Sequence, residues 1–253
     1  MKQTASGQVT PEVSQRSLER GKIMNGGFKL QRISKHVWIF PFDSHKDRPN
    51  LGYILGDEKA LAVDAGHSSS HVEDFYDAIQ SKGMPLPQFT VITHWHWDHS
   101  FGMHAVNGET LARIETSDKL AQIMAEMETD PDKARRFLAS DLTIRREYAG
   151  GVPLKVVPAD IIVDEDQTID LGGVIVELRK SASPHTDDAL LVYVPGDRVL
   201  FVGDAQLGEF PSWRMDWDKL AALADTVRKL DVDVVIDGHW KPYTKEQFLA
   251  EIG

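Results

Sequence analysis

The chain of 253 residues contains no cysteine. Disulfides, thiolate metal ligands, iron–sulfur clusters and thiol nucleophiles are therefore excluded, and any metal must rest on histidine and carboxylate. Positive charge is scarce too: 28 Lys and Arg against 39 Asp and Glu give a formal net charge of −11. So acidic a chain matches neither a nucleic-acid backbone nor an anionic membrane surface, and the expected partner is a small soluble molecule. Long apolar runs are missing as well. The longest, 189–194, falls far short of the ~20 residues that span a bilayer, and residues 1–22 carry no apolar core of the kind a secretory leader has. These absences together lead to the expectation of a cytoplasmic protein.

What is present is an ordinary globular composition, 42% hydrophobic with 19 glycines, and enough length for one large domain or two small ones. Residues 1–27 are polar, rich in Ser, Gln and Thr and closed by Gly26-Gly27; they read as a loosely docked arm ahead of a folded unit over 28–253. Short strand-like runs follow at 36–40, 51–55, 60–64 and 89–93, with a helical stretch over 71–82 between the last two, the pattern of a β-α-β crossover. Over 117–148 the period changes. Leu120, Ile123, Met124 and Met127 recur at helical spacing, and Asp130-Pro131 offers a cap and a first-turn proline, so this segment reads as a helical insertion. Strands resume after Pro153, with a hairpin turn at 170–173 and runs at 174–178, 189–194 and 199–202. Trp217, Leu220, Leu223, Ala224, Val227 and Leu230 mark one face of an amphipathic helix, and a strand at 232–236 and a helix from Lys245 follow. The fold class is α/β.

The chemistry concentrates at His94-Trp95-His96-Trp97-Asp98-His99, directly after the run 90–93. Four metal-competent side chains in six residues, released at a strand end, can turn toward two positions: His94 and His96 to one, Asp98 and His99 to the other. An isolated histidine pair would read as a surface loop. Here three more residues occur at or beside the ends of apolar strands, where α/β sheets build their sites: His185 after Ser183-Pro184, Asp204 after 199–203, and His239 after Asp237-Gly238.

Taken in order, His94-x-His96-x-Asp98-His99, His185 in S-P-H-T, Asp204 in F-V-G-D, His239 in D-G-H and the early turn Val63-Asp64-Ala65-Gly66 resemble the metallo-β-lactamase superfamily over roughly residues 36–240. The resemblance implies an αβ/βα four-layer sandwich with a two-metal site at one edge. It implies one ion on His94, His96 and His185, a second on Asp98, His99 and His239, and Asp204 bridging them. True zinc β-lactamases of the superfamily lack the bridging Asp, and two of their subclasses use a Cys ligand. With Asp204 and no Cys, this chain looks more like the thioester, lactone and phosphodiester hydrolases.

The expected activity is that of a metal-dependent hydrolase of a small ester-like substrate, a thioester, lactone or related ester, in which a hydroxide bridging two divalent ions attacks. Zinc is the expected metal, with iron or manganese open to the same donors. A phosphodiesterase and a redox di-iron protein are the alternatives. Asp98 is assigned the catalytic proton, and Asp64 a place behind the ligands, accepting from an imidazole N–H. His67, His71 and His104 read as ordinary surface or helix-face histidines. The loop 209–215, through Trp213 and Arg214, is the expected substrate-selecting segment. The insertion either covers the site or forms a subunit contact, which leaves a homo-oligomer open.

Overall fold

The computed structural model describes residues 29–253, so the arm expected over 1–27 lies outside the described residues. Strands β1 (Gln31–Arg32), β2 (Val37–Phe40), β3 (Leu51–Leu55), β4 (Ala60–Val63), β5 (Phe89–Val91), β6 (Glu109–Ala112) and β7 (Ile161–Ile162) lie side by side in that order. Pairing is antiparallel from β1 to β4 and parallel from β4 to β7. A second sheet holds β8 (Gln167–Asp170), β9 (Ile175–Lys180), β10 (Leu190–Val194), β11 (Val199–Gly203), β12 (Val234–Asp237) and β13 (Tyr243–Thr244). It is antiparallel except between β11 and β12.

Strand side chains alternate between two faces, and here both faces of the central strands are covered, so these strands are apolar throughout. In β4, Leu61 and Val63 enter a core shared with the second sheet, while Ala60 and Ala62 face a helix. In β10, Leu190, Val192 and Val194 point into the same shared core, and Leu191 and Tyr193 point outward. The outer layers are α1 (Ser69–Gln80) and α3 (Ile114–Thr129) on the first sheet, and α6 (Trp217–Lys229) and α7 (Lys245–Ile252) on the second. The short α2 (Trp97–Ser100) lies between β5 and β6. The result is the four-layer sandwich that the resemblance implied.

Helix α1 begins two residues earlier than its apolar period suggests, because the Ser68 side chain accepts the amides of Ser70 and His71. The helical segment expected as an insertion is α3 together with α4 (Pro131–Ser140) and α5 (Leu142–Glu147), and it is the crossover between parallel strands β6 and β7. Those strands are short and carry no strong period, so the sequence pattern hid them. Asp130 does cap α4, accepting from the Asp132 amide, with Pro131 in its first turn. Trp217, expected on the buried face of α6, is 72% exposed. It is the first residue of the helix, and burial against the sheet starts at Leu220.

Candidate metal centre

The parallel pairs β4-β5-β6 and β11-β12 send their carboxyl ends to one edge of the sandwich. His94, His96, Asp98 and His99 follow β5, Asp204 follows β11, His239 follows β12, and His185 sits in the β9–β10 connection. The fold gathers all seven into two adjoining groups. His94, His96 and His185 form one, and Asp98, His99, Asp204 and His239 the other, each with its donor atoms within 4.8 Å of one another. Asp204 stands at the junction: Oδ1 lies 3.5 Å from His99 Nε2, and Oδ2 lies 3.3 Å from His239 Nε2 and 3.8 Å from His185 Nε2. Asp98 Oδ2 is 3.0 Å from His239 Nε2 and 3.3 Å from His99 Nε2.

The residues behind this cradle decide which imidazole nitrogens face it. Asp64 accepts the Thr93 amide at 2.8 Å and the Thr93 hydroxyl at 3.0 Å, and His99 Nδ1–H donates to it at 2.7 Å. Because the Thr93 hydroxyl donates to Asp64, its lone pairs are left for His94 Nδ1–H at 3.1 Å. His185 Nδ1–H donates to the Gly208 carbonyl at 2.7 Å. Each of these three rings therefore turns Nε2 inward, the nitrogen that would face a metal. His96 presents Nδ1, 2.8 Å from His185 Nε2. Among the described residues, His94 Nε2, His99 Nε2 and Asp204 Oδ1 are buried with no hydrogen-bond partner. A Cβ at Gly238 would come within 2.2 Å of Asp204 Oδ1, so glycine keeps that edge open.

Electrostatics divides the groups. Burial, reinforced by neighbouring imidazoles, pushes His94 well below its ordinary value and His96 down to about 3, so both are neutral donors. Burial also works against charge on His99 and His239, but Asp98 and Asp204 outweigh it and raise both well above the ordinary value. The same pairs hold the two carboxylates well below the usual range despite their burial. One group is thus neutral nitrogen and the other is built on two ionised carboxylates. Neutral imidazole nitrogen in one group and ionised carboxylate beside imidazole in the other are donor sets that suit divalent metal.

The cradle opens into a cavity of about 840 Å³, within the size range of small-molecule sites. His96, Asp98, His185, Asp204 and His239 form its floor. Trp97 and Phe210 pack edge to face at 5.1 Å, Phe210 meets Trp213 at 5.7 Å, and Trp97 meets Phe137 of α4 at 6.2 Å. Trp213 and Trp97 therefore line the cavity. Arg214 is outside this lining: it is 80% exposed, pairs with Glu209 at 3.0 Å and lines a neighbouring cavity that His185 also borders. Trp240 stacks on Phe42, and Trp95 lies beside Lys119 outside the cavity.

Two of the histidines read as ordinary, His67 and His71, are fully buried. They belong to a polar cluster that no spacing or motif in the chain announces. Arg48, 4% exposed, donates to Glu147 from Nε at 2.7 Å and to Asp74 from Nη1 at 2.7 Å. Glu147 also takes the Ser68 hydroxyl, and the Tyr148 hydroxyl donates to the His67 carbonyl. This cluster ties the end of α5 to the start of α1 and to the loop after β2. Asp188 escapes sequence reasoning as well. It is buried, accepts the Trp95 amide at 2.8 Å and the Thr116 hydroxyl at 2.7 Å, and so holds the histidine loop from outside. Its one sequence signal is an acid set immediately before an apolar strand.

Comparison with known proteins agrees with the geometry. A metallo-β-lactamase from Pontibacter korlensis superposes with a TM-score of 0.63 at 20% identity, covering 89% of this chain and 98% of that one. The stereoselective inverting sec-alkylsulfatase Pisa1 from Pseudomonas sp. gives 0.66 at 16% identity, over 89% of this chain and 40% of its own. A curated relative from Aspergillus versicolor, described as "Putative transcription factor avaE", is 22% identical over 208 residues, 75% of this chain. This chain spans 59% of that relative's length. The family model of the metallo-beta-lactamase superfamily matches residues 47–239 and encloses every cradle residue. With this match over most of its length and a four-layer fold, the chain belongs to the metallo-β-lactamase superfamily.

Proposed function

We propose that the protein is a metal-dependent hydrolase of a small ester-like substrate, a thioester, lactone or related carboxylic ester. The observation that carries this reading is the cradle of five imidazoles and two carboxylates at the floor of a ligand-sized cavity, with His94 Nε2, His99 Nε2 and Asp204 Oδ1 buried and unpartnered. His94, His96 and His185 would hold one divalent ion, Asp98, His99 and His239 a second, and Asp204 both; zinc suits the donors. Bound there, the ions supply a nucleophile from water at neutral pH and polarise the carbonyl to be attacked.

The chain's own side chains do the rest. Asp64, Thr93 and the Gly208 carbonyl fix ring orientation, so that no tautomer change is needed during turnover. Asp98 faces the cavity and relays a proton to the leaving group. The aromatic wall excludes water from the bulk of the substrate. Turnover across thioesters, lactones, β-lactams, phosphodiesters and sulfate esters, with protein of measured metal content, tests the reading. Hydrolysis of carboxylic esters by metal-loaded protein, abolished by chelation, is the expected result. Loaded protein that cleaves none of them would sink it, as would a covalent acyl adduct on the chain.

A further inference from the structure

The wall of the cavity contains no lysine or arginine among its lining residues, and this bears on the substrate class under the hydrolase reading, on which the inference rests. The lining beyond the cradle is mainly aromatic and aliphatic, from Phe42 on one side across Phe137 and Ile144 to Phe210 and Trp213, with Ser44, Ser140 and Thr143 as uncharged polar members and Asp47 and Asp141 as its charged ones. Asp141 is fixed in place, because its Oδ1 caps α5 by accepting the Thr143 amide at 2.6 Å and the Thr143 hydroxyl at 2.5 Å. The nearby cations lie outside this lining, Lys119 and Lys219 on two smaller cavities that also border His185, and four others are engaged. Arg48 is buried against Glu147 and Asp74, Lys46 lies 3.7 Å from Glu147, Arg146 donates to the His45 carbonyl, and Arg214 pairs with Glu209 outside the cavity.

A negatively charged group leaving water for this wall would find no cation and two carboxylates, while an apolar or aromatic group would find ring faces and edges. We infer that the substrate carries an uncharged aryl or aryl-alkyl group beyond the scissile bond, and that the site discriminates against substrates with a negative charge there. Phosphodiesters, sulfate esters and carboxylate-bearing lactams are disfavoured by the same wall, whatever the metals could do to them.

The test uses zinc-loaded full-length protein and two 4-nitrophenyl esters of 4-phenylbutyric acid, one unsubstituted and one with a carboxylate at the distal para position of the phenyl ring. The corresponding N-methyl amides, which resist cleavage, are titrated in parallel by quenching of tryptophan fluorescence, which Trp97 and Trp213 place in the wall. The neutral amide is expected to bind at least about tenfold more tightly than the carboxylate-bearing one, a ratio that desolvating a carboxylate against a wall without a cation can produce. Asp141→Asn keeps a helix-capping side chain and removes the charge, so it should narrow that ratio by about threefold. Equal or tighter binding of the carboxylate-bearing amide overturns the inference, as does failure of the neutral amide to bind at millimolar concentration. Selective binding of the neutral amide without turnover of either ester leaves the inference standing and removes the hydrolase reading. Equal turnover of the two esters with equal binding of the amides does the reverse.

Discussion

Six of the seven cradle side chains are buried, His99 completely, whereas Phe210 and Trp213, which face them across the cavity, are 40% and 59% exposed. The cradle side chains issue from the ends of strands whose both faces are packed, and His94, His99 and His185 are each oriented by a neighbour behind the cradle. Much of the wall comes from loops and from α4, a helix with no buried residue, completed by Trp97 of α2 and Ile144 of α5. Chemistry needs donor atoms placed within tenths of an ångström, so it is built where the backbone cannot shift. Under the proposed function, selection tolerates looser placement and would sit on segments that can vary without disturbing the sheets.

The largest expected effect comes from breaking the cradle at its junction. Asp204→Ala removes the carboxylate at the junction of both groups, and we expect metal content by elemental analysis to fall below half of wild type, with activity lost. Unchanged metal content would show that the two groups load independently.

Next in size is the buried cluster that anchors the end of the α3–α5 crossover. Glu147→Ala leaves Arg48 in a buried setting without its main partner, and the expected loss of stability is about 3–5 kcal/mol, read by denaturant unfolding. The pH dependence follows. Burial pushes the Glu147 carboxyl up, but the hydrogen bonds and charge of Arg48, with the Ser68 hydroxyl, bring it below its ordinary value of 4.5. A folded value below the unfolded one means that this stabilisation is present above about pH 4.5 and is lost as pH falls further. Glu147→Gln should therefore show a shallower fall in Tm on acidification below that point than wild type. A parallel fall in both would place the acid sensitivity elsewhere.

Asp64→Asn should weaken metal binding or activity by about 10- to 100-fold, as the loss of a carboxylate behind a metal ligand does, with the fold intact by circular dichroism. The smallest effect belongs to the wall. Trp213→Ala should raise KM about fivefold, the equivalent of one lost aromatic contact of about 1 kcal/mol, and reorder the preferred substrates while metal content stays at the wild-type level. Loss of metal in this variant would erase the distinction between cradle and wall.

Most of the cradle is legible in the order of residues along the chain. A strand followed by H-x-H-x-D-H is local information, and strand ends at one edge follow from parallel β-α-β pairing, so donor types and their approximate places can be read from order and spacing. The strands of the shared core are readable for the same reason: apolar residues at consecutive positions mean that both faces are covered. The short β6 and β7 are not, because four residues and two carry no period.

The sequence alone therefore determined the donor chemistry: no thiolate, five imidazoles and two carboxylates at strand ends. Tertiary structure decided everything that depends on which distant segments meet. It turned Arg214 out of the cavity onto Glu209, buried His67 and His71, joined Arg48 to Glu147 across 99 positions, and brought α4 and α5 over the metal site. Local periodicity encodes the face a residue presents, whereas the partner it meets there depends on how the crossovers return, which follows from packing of the whole chain.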